Sequence, residues 1–310
     1  MIKALAALIM SLLLLNCSHA TSTDQSLKAS TPSPDNLREQ IEKISLDAQG
    51  RVGASILLIE TGETVSFNGD QKFPMQSVYK FPIGMTVLNQ VDNGALKLDQ
   101  KVRVERSDLV PAKAHSPIRD KYPQGGVELS LRELMRYMIV ESDGTACDVL
   151  LRVVGGMDRV NTYLQNLGVT GIVVATTEKA MAESEDVQYR NSSTPDAMAA
   201  LLRAFYEGRG LSTASRALLL QWMTETGTGP HRIKGLLPAG TVVAHKTGTS
   251  NTVDGVTRAT NDVGLITLPD GRHLVVAVFV SDSKAQDDVR EGVIARIARA
   301  AYDWDAAAKH

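Results

Sequence analysis

The sequence predicts an α+β fold: one antiparallel sheet flanked by N- and C-terminal helices, with an all-helical subdomain between its strands. Three observations carry this. Strand-like runs occur near both ends of the chain, at Val52 to Glu60 and from Thr241 onward, so one sheet must be completed by both ends. The middle of the chain is dominated by helical spacing. The last stretch, about Gln286 to Trp304, aligns Val289, Val293, Ile297 and Ala301 on one helix face. A cleft is expected where the sheet and the helical block meet.

In chain order, Thr21 to Pro34 is rich in Ser, Thr and Pro and reads as a flexible leader. Residues 35–310 form the catalytic domain, with its sheet part at about 35–70 and 210–310 and its helical part at about 71–209. Asp35 to Gln49 has Leu37, Ile41, Ile44 and Leu46 at helical spacing and stops at Gly50. The strand Val52 to Glu60 turns at Thr61-Gly62-Glu63 into a second, Thr64 to Phe67. A helix from Ser77 to about Val91 carries Pro82 near its start, which predicts a kink or an earlier first turn. Ser130 with Glu133 is a capping box opening a helix to Val140. Ser142-Asp143-Gly144 is a short loop before a helix from Thr145 to Val154, closed by Gly155-Gly156; the next helix stops at Gly168. From Val169 to Ser193 periodicity is lost, which predicts a long surface loop of the kind that carries function. Thr194-Pro195 restarts a helix as N-cap and first residue. Strands follow at Thr241 to Thr247, Thr260 to Leu268 and His273 to Ser281, the last two joined at Pro269-Asp270-Gly271.

At 310 residues, 43% hydrophobic and 22% charged, the chain can bury a large core. A formal charge of −2 without a basic run gives no electrostatic footprint for nucleic acid. Met1-Ile2-Lys3 followed by the apolar run Ala4 to Leu15 reads as a secretory signal, with cleavage expected after Ala20 and a periplasmic or secreted product. Leu14-Leu15-Asn16-Cys17 offers a second reading, a lipidated Cys17 and membrane anchoring, though Asn is unusual before such a cysteine. Either way Cys147 is the one thiol left to the mature domain, so no internal disulfide is expected. The six histidines show no paired ligand spacing, and neither a metal nor a cofactor is implied.

Chemistry concentrates first in Ser77-Val78-Tyr79-Lys80. Positions i and i+3 of a helix share a face, so the Ser77 hydroxyl and the Lys80 amine can meet. A serine hydroxyl becomes a useful nucleophile when a neighbouring base takes its proton. Alone this spacing is weak. In order with Ser142-Asp143-Gly144 and Lys246-Thr247-Gly248 it is strong.

This ordered set resembles the serine penicillin-recognising enzymes, and in particular class A β-lactamases. The runs Phe73-Pro74-Met75-Gln76-Ser77, Cys147-Asp148-Val149-Leu150-Leu151, Gly235-Leu236-Leu237-Pro238 and His245-Lys246-Thr247-Gly248-Thr249 are similar to the extended-spectrum PER- and VEB-like subgroup. The resemblance implies a β-lactamase/transpeptidase-like fold, a monomer, a small-molecule β-lactam substrate and antibiotic resistance. It implies Ser77 as nucleophile, Ser142 as proton relay and Lys246 as the positive charge near the substrate carboxylate. It assigns an oxyanion hole to the Ser77 and Thr249 amides. Gln76, His115, Gly144, Arg232, Thr247, Gly248 and Thr249 are then the substrate-binding positions. Glu178, rather than Glu183, is the expected base for deacylation; Lys80 and Glu178 both stay open as the base for acylation. Departures from the family are Gly144 where most members have Asn, Ala182 where an Asn would help hold water, and His115 for an aromatic gate. A D,D-peptidase and a non-catalytic β-lactam sensor are the competing readings. Cys147 is expected to be packed core.

Overall fold

The computed structural model describes residues 33–307, all within one compact unit. The signal, the Cys17 alternative and most of the leader lie outside the described residues. The last two leader residues prove structured: the Ser33 side chain caps the first helix by accepting from the Asn36 amide, and Pro34 is its first residue.

A five-stranded antiparallel sheet is the centre of the molecule. Its strands are β1 (Arg51–Leu58), β2 (Thr64–Phe67), β3 (Val243–Thr249), β4 (Thr260–Thr267) and β5 (His273–Ser281), in the spatial order β2-β1-β5-β4-β3. Both ends of the chain therefore supply it, and β1 lies directly against β5, with Val52 opposite Val280. Alternation along the strands sorts the side chains. Val52, Ala54, Ile56 and Leu58 of β1 join Leu274, Val276, Val278 and Val280 of β5 in one core, on the face covered by α1 (Pro34–Ser45) and the terminal helix Asp287–Ala307. Leu57, Val275, Ala277 and Phe279 face the other way into a second core shared with the helical part. Both faces are buried, which is why these strands read as continuous apolar runs.

The helical part is built from α2 (Lys80–Asp92), α3 (Leu131–Val140), α4 (Gly144–Val154), α5 (Met157–Asn166), α6 (Pro195–Tyr206) and α7 (Thr213–Glu225). Helix α7 falls beyond residue 209, yet its Leu219, Trp222 and Met223 lie in the core shared with the helical part. The capping box at Ser130 and Glu133 forms in both halves. Strand boundaries shift by a residue or two; β3 begins at Val243 because pairing with β4 starts at Val243 opposite Ile266.

The long loop expected from Val169 to Ser193 carries several short elements. Residues Ile172–Val173 and Ser192–Ser193 are short strands, Glu178–Met181 is a single helical turn, and Glu185–Arg190 is 3₁₀. Pieces this short leave no periodicity in a sequence. Buried Asn191 ties the base of this loop: its side-chain oxygen accepts from the Ala175 and Thr176 amides, and its amide donates to the Thr176 carbonyl.

Candidate active site

Ser77 lies in a 3₁₀ turn, Gln76–Tyr79, and Lys80 is the first residue of the α-helix that follows. Three residues per turn put Lys80 over Ser77, and the Lys80 Nζ donates to Ser77 Oγ at 2.9 Å. Pro82 therefore falls in the first turn of α2, where its missing N–H is not needed. Gln76 has φ +47°, the left-handed bend that turns the chain into the 3₁₀ segment.

Strand β3 packs directly against this turn. A Cβ on Gly248 would lie 2.3 Å from the Met75 carbonyl oxygen and 3.1 Å from the Val78 nitrogen, so only glycine lets the strand approach. Asn261 on β4 fastens the same turn, donating to the Pro74 and Met75 carbonyls at 2.8 and 3.1 Å. Asn261 is not marked by any motif; only sheet register brings it there.

Ser142 is held at φ +58°, an uncommon conformation for a residue with a Cβ. Its neighbours hold it there. The Lys80 ammonium donates to the Ser142 carbonyl at 2.6 Å. Asp143, fully buried, caps α4 through the Ala146 amide and also accepts from the Ile118 amide, both at 2.7 Å. Lys246 Nζ donates to Ser142 Oγ at 2.9 Å and to the Thr247 carbonyl at 3.1 Å.

Glu178 opens the helical turn in the loop, and its Oε1 lies 2.9 Å from Lys80 Nζ. Asp148 of α4 positions it by accepting from the Glu178 and Lys179 amides at 2.8 and 3.1 Å. Glu183 is exposed on the same loop and does not line the cleft. The resulting cleft, about 350 Å³, is lined by Gln76, Ser77, Lys80, His115, Ser142, Glu178, Ala182, Thr247 and Thr249, with Lys113, Glu185 and Asn251 on its rim.

Electrostatics separate the two lysines. Burial pushes Lys80 down, but the Glu178 carboxylate, with Cys147 and Asp143 adding to it, outweighs burial and holds the amine above its ordinary value, as an ammonium. Lys246 is driven well down by burial and by the charge on Lys80. Burial pushes the Cys147 thiol well up; its sulfur donates to Tyr79 Oη in the core, where it is packing rather than chemistry.

Two expected substrate contacts are placed differently. Arg232 is almost fully buried behind β3 and does not reach the cleft. Its guanidinium is consumed by Glu291 at 2.9 Å, the Gly248 and Asn261 carbonyls, and Thr249 Oγ1 at 2.8 Å. It thus acts on the cleft through the Thr249 hydroxyl. Gly144 is buried as the first residue of α4, its amide donating to the His115 carbonyl at 2.9 Å. His115 does line the cleft, with Nε2 held 2.9 Å from the Glu141 carbonyl. Gln76 is tied to the loop by donating to Gln188 Oε1 at 2.6 Å, a link no motif announced.

A serine touched by a buried ammonium, a second lysine–serine pair across the cleft, and a loop glutamate at the first lysine define the site of a serine acyl-transfer hydrolase. Known proteins make that class specific. The description "Beta-lactamase enzyme family" matches residues 36–304. The extended-spectrum beta-lactamase PER-1 of Pseudomonas aeruginosa is 43% identical over 280 residues, 90% of each chain. Beta-lactamase VEB-1 of the same organism is 40% identical over 272 residues, 87% of this chain and 90% of that one. The solved structure of a beta-lactamase from Chitinophaga pinensis DSM 2588 is 48% identical and superimposes with a TM-score of 0.84, covering 88% of this chain and 99% of that chain. This chain belongs to the beta-lactamase enzyme family and is a class A β-lactamase.

Proposed function

We propose that this β-lactamase opens the ring of penicillins and cephalosporins through an acyl-enzyme on Ser77 that Glu178 then clears. The contact chain Ser77–Lys80–Glu178 carries the reading. Ser77 Oγ attacks the lactam carbonyl, and the Ser77 and Thr249 amides receive the developing oxyanion. The serine proton leaves toward the Lys80–Glu178 pair. Because Lys80 is held as an ammonium, the basic member of that pair is the Glu178 carboxylate.

The lactam nitrogen needs a proton as the ring opens, and Ser142 supplies it, replenished from Lys246. A lysine pushed down by burial gives up a proton readily, and an arriving substrate carboxylate favours its charged form again. Lys246, Thr247 and Thr249 hold that carboxylate. The proton taken by Glu178 passes on through Lys80 to restore Ser142 and Lys246, which frees the carboxylate again. In the second half-reaction Glu178 takes a proton from water, which attacks the ester, and that proton goes by way of Lys80 to Ser77 Oγ as the ester bond breaks. A transpeptidase has no need of a carboxylate placed this way, so the Glu178 position favours hydrolysis over a D,D-peptidase.

The name of PER-1 marks an extended spectrum for that enzyme, and here the small Ala182 with Met181 on the loop wall supports room for oxyimino cephalosporins. Periplasmic location is supported by the basic and apolar start of the chain. Among the described residues no helix is long and apolar enough to cross a membrane. Incubation with a chromogenic cephalosporin tests the function: many turnovers are expected, whereas a single stoichiometric burst would make the protein a peptidase-type acylator and no reaction a binding module. Ser77→Ala should abolish both turnover and the mass shift of covalent labelling.

A further inference from the structure

Thr228 lies on the loop after α7, lines the cleft, and has its Oγ1 2.6 Å from Thr247 Oγ1. Gly229, the next residue and at φ +62°, lets this loop come close to β3: a Cβ there would fall 2.7 Å from the Thr247 methyl.

Two hydroxyls at this distance share one proton, and the other proton of the pair is left over. If Thr247 donates to Thr228, it presents lone pairs to the cleft and repels an anion. If Thr228 donates to Thr247, the Thr247 proton is free, and a hydroxyl that accepts one hydrogen bond is a stronger donor in the next. The backbone carbonyl of Thr247 is already taken by Lys246 Nζ, so charge and donor come from adjacent residues of one strand.

We propose that Thr228 is a positioning residue that turns the Thr247 hydroxyl into a donor aimed at the substrate carboxylate. This rests on the assignment of that carboxylate to Lys246, Thr247 and Thr249. Thr228 binds nothing itself; it decides which way the proton on Thr247 points, and so contributes to the preference for an anionic group beside the lactam nitrogen.

The test compares kcat/KM for a chromogenic cephalosporin with that for its methyl ester, which lacks the anion. Thr228→Val keeps the shape and removes the hydroxyl; Thr228→Ala is a second removal should the first unfold, with thermal melting as the check. The acid-to-ester ratio is expected to fall about three- to tenfold, the range for one hydrogen bond. Thr228→Ser should restore it, and Thr228→Val should add nothing in a Thr247→Val background, because the effect runs through Thr247. A ratio lowered by Thr247→Val but untouched by both Thr228 removals would overturn the proposal and leave the carboxylate site standing. Equal hydrolysis of acid and ester by the unmodified enzyme would overturn both.

Discussion

Glu178 Oε1 and Lys80 Nζ meet at 2.9 Å, the lysine wholly buried and the glutamate nearly so. Each partner holds the other charged there, since removing one member of a buried ion pair leaves the other to give up its charge or to bear it unpaired. The pair links the two halves of the site. Lys80 is the first residue of α2, beside Ser77, and Glu178 comes from the loop.

Glu178→Gln keeps the shape but cannot accept a proton. Ser77 should still acylate, because the burst needs only one proton transfer per enzyme and Lys80, released from its carboxylate, can become neutral. A burst near one equivalent is expected, followed by a steady state slowed by roughly 10²–10⁴-fold. Mass spectrometry should find the adduct persisting on Ser77. Glu183→Gln, changed at an exposed position, should turn over normally; exchanged phenotypes would refute the assignment of the loop base.

Asp148 gives a pH signature. Burial, with the charge of Glu178 adding to it, pushes its carboxyl up to about 6 against the amide bonds that oppose the shift. A folded pKa above the unfolded one means the contribution is fully present below the unfolded value and lost as pH rises through the folded one. Between about pH 4 and pH 6 this group alone should therefore cost about 2 kcal/mol of stability as pH increases. Asp148→Asn should flatten that segment of the plot of melting temperature against pH, while lowering stability overall because one of the two backbone amides loses its acceptor. A difference between the two proteins that stays constant over that window would count against the buried, strained carboxylate.

Gly144→Asn restores the amide most relatives are expected to have. A gain near 1 kcal/mol in ground-state binding is expected from one neutral hydrogen bond, read as a fall in KM for acylamino β-lactams. The structure adds a cost. The new Cβ would sit 3.1 Å from the His115 carbonyl oxygen and 3.4–3.5 Å from Cγ and Cβ of Glu178. Crowding of the base should lower kcat in the same variant, so KM and kcat fall together; an unchanged KM for every acylamino substrate would show that the side chain does not reach substrate.

The sequence alone determined the fold class, the order of the elements and the three motifs, because each rests on local physics. The continuous apolar run of β5, the capping box at Ser130 and Glu133, the Thr194-Pro195 helix start and the i, i+3 spacing of Ser77 and Lys80 are all properties of neighbouring residues. Only the tertiary structure decided which distant groups meet. Arg232 carries the right charge for a carboxylate, but its neighbours Glu291, Asn261 and Thr249 come from three other segments and consume its donors. Asn261 under the Ser77 turn, Asp148 beneath Glu178 and Thr228 beside Thr247 have no local signature either. Hydrogen bonds act over about 3 Å of space and have no fixed reach along the chain, so their partners are set by packing of the finished fold.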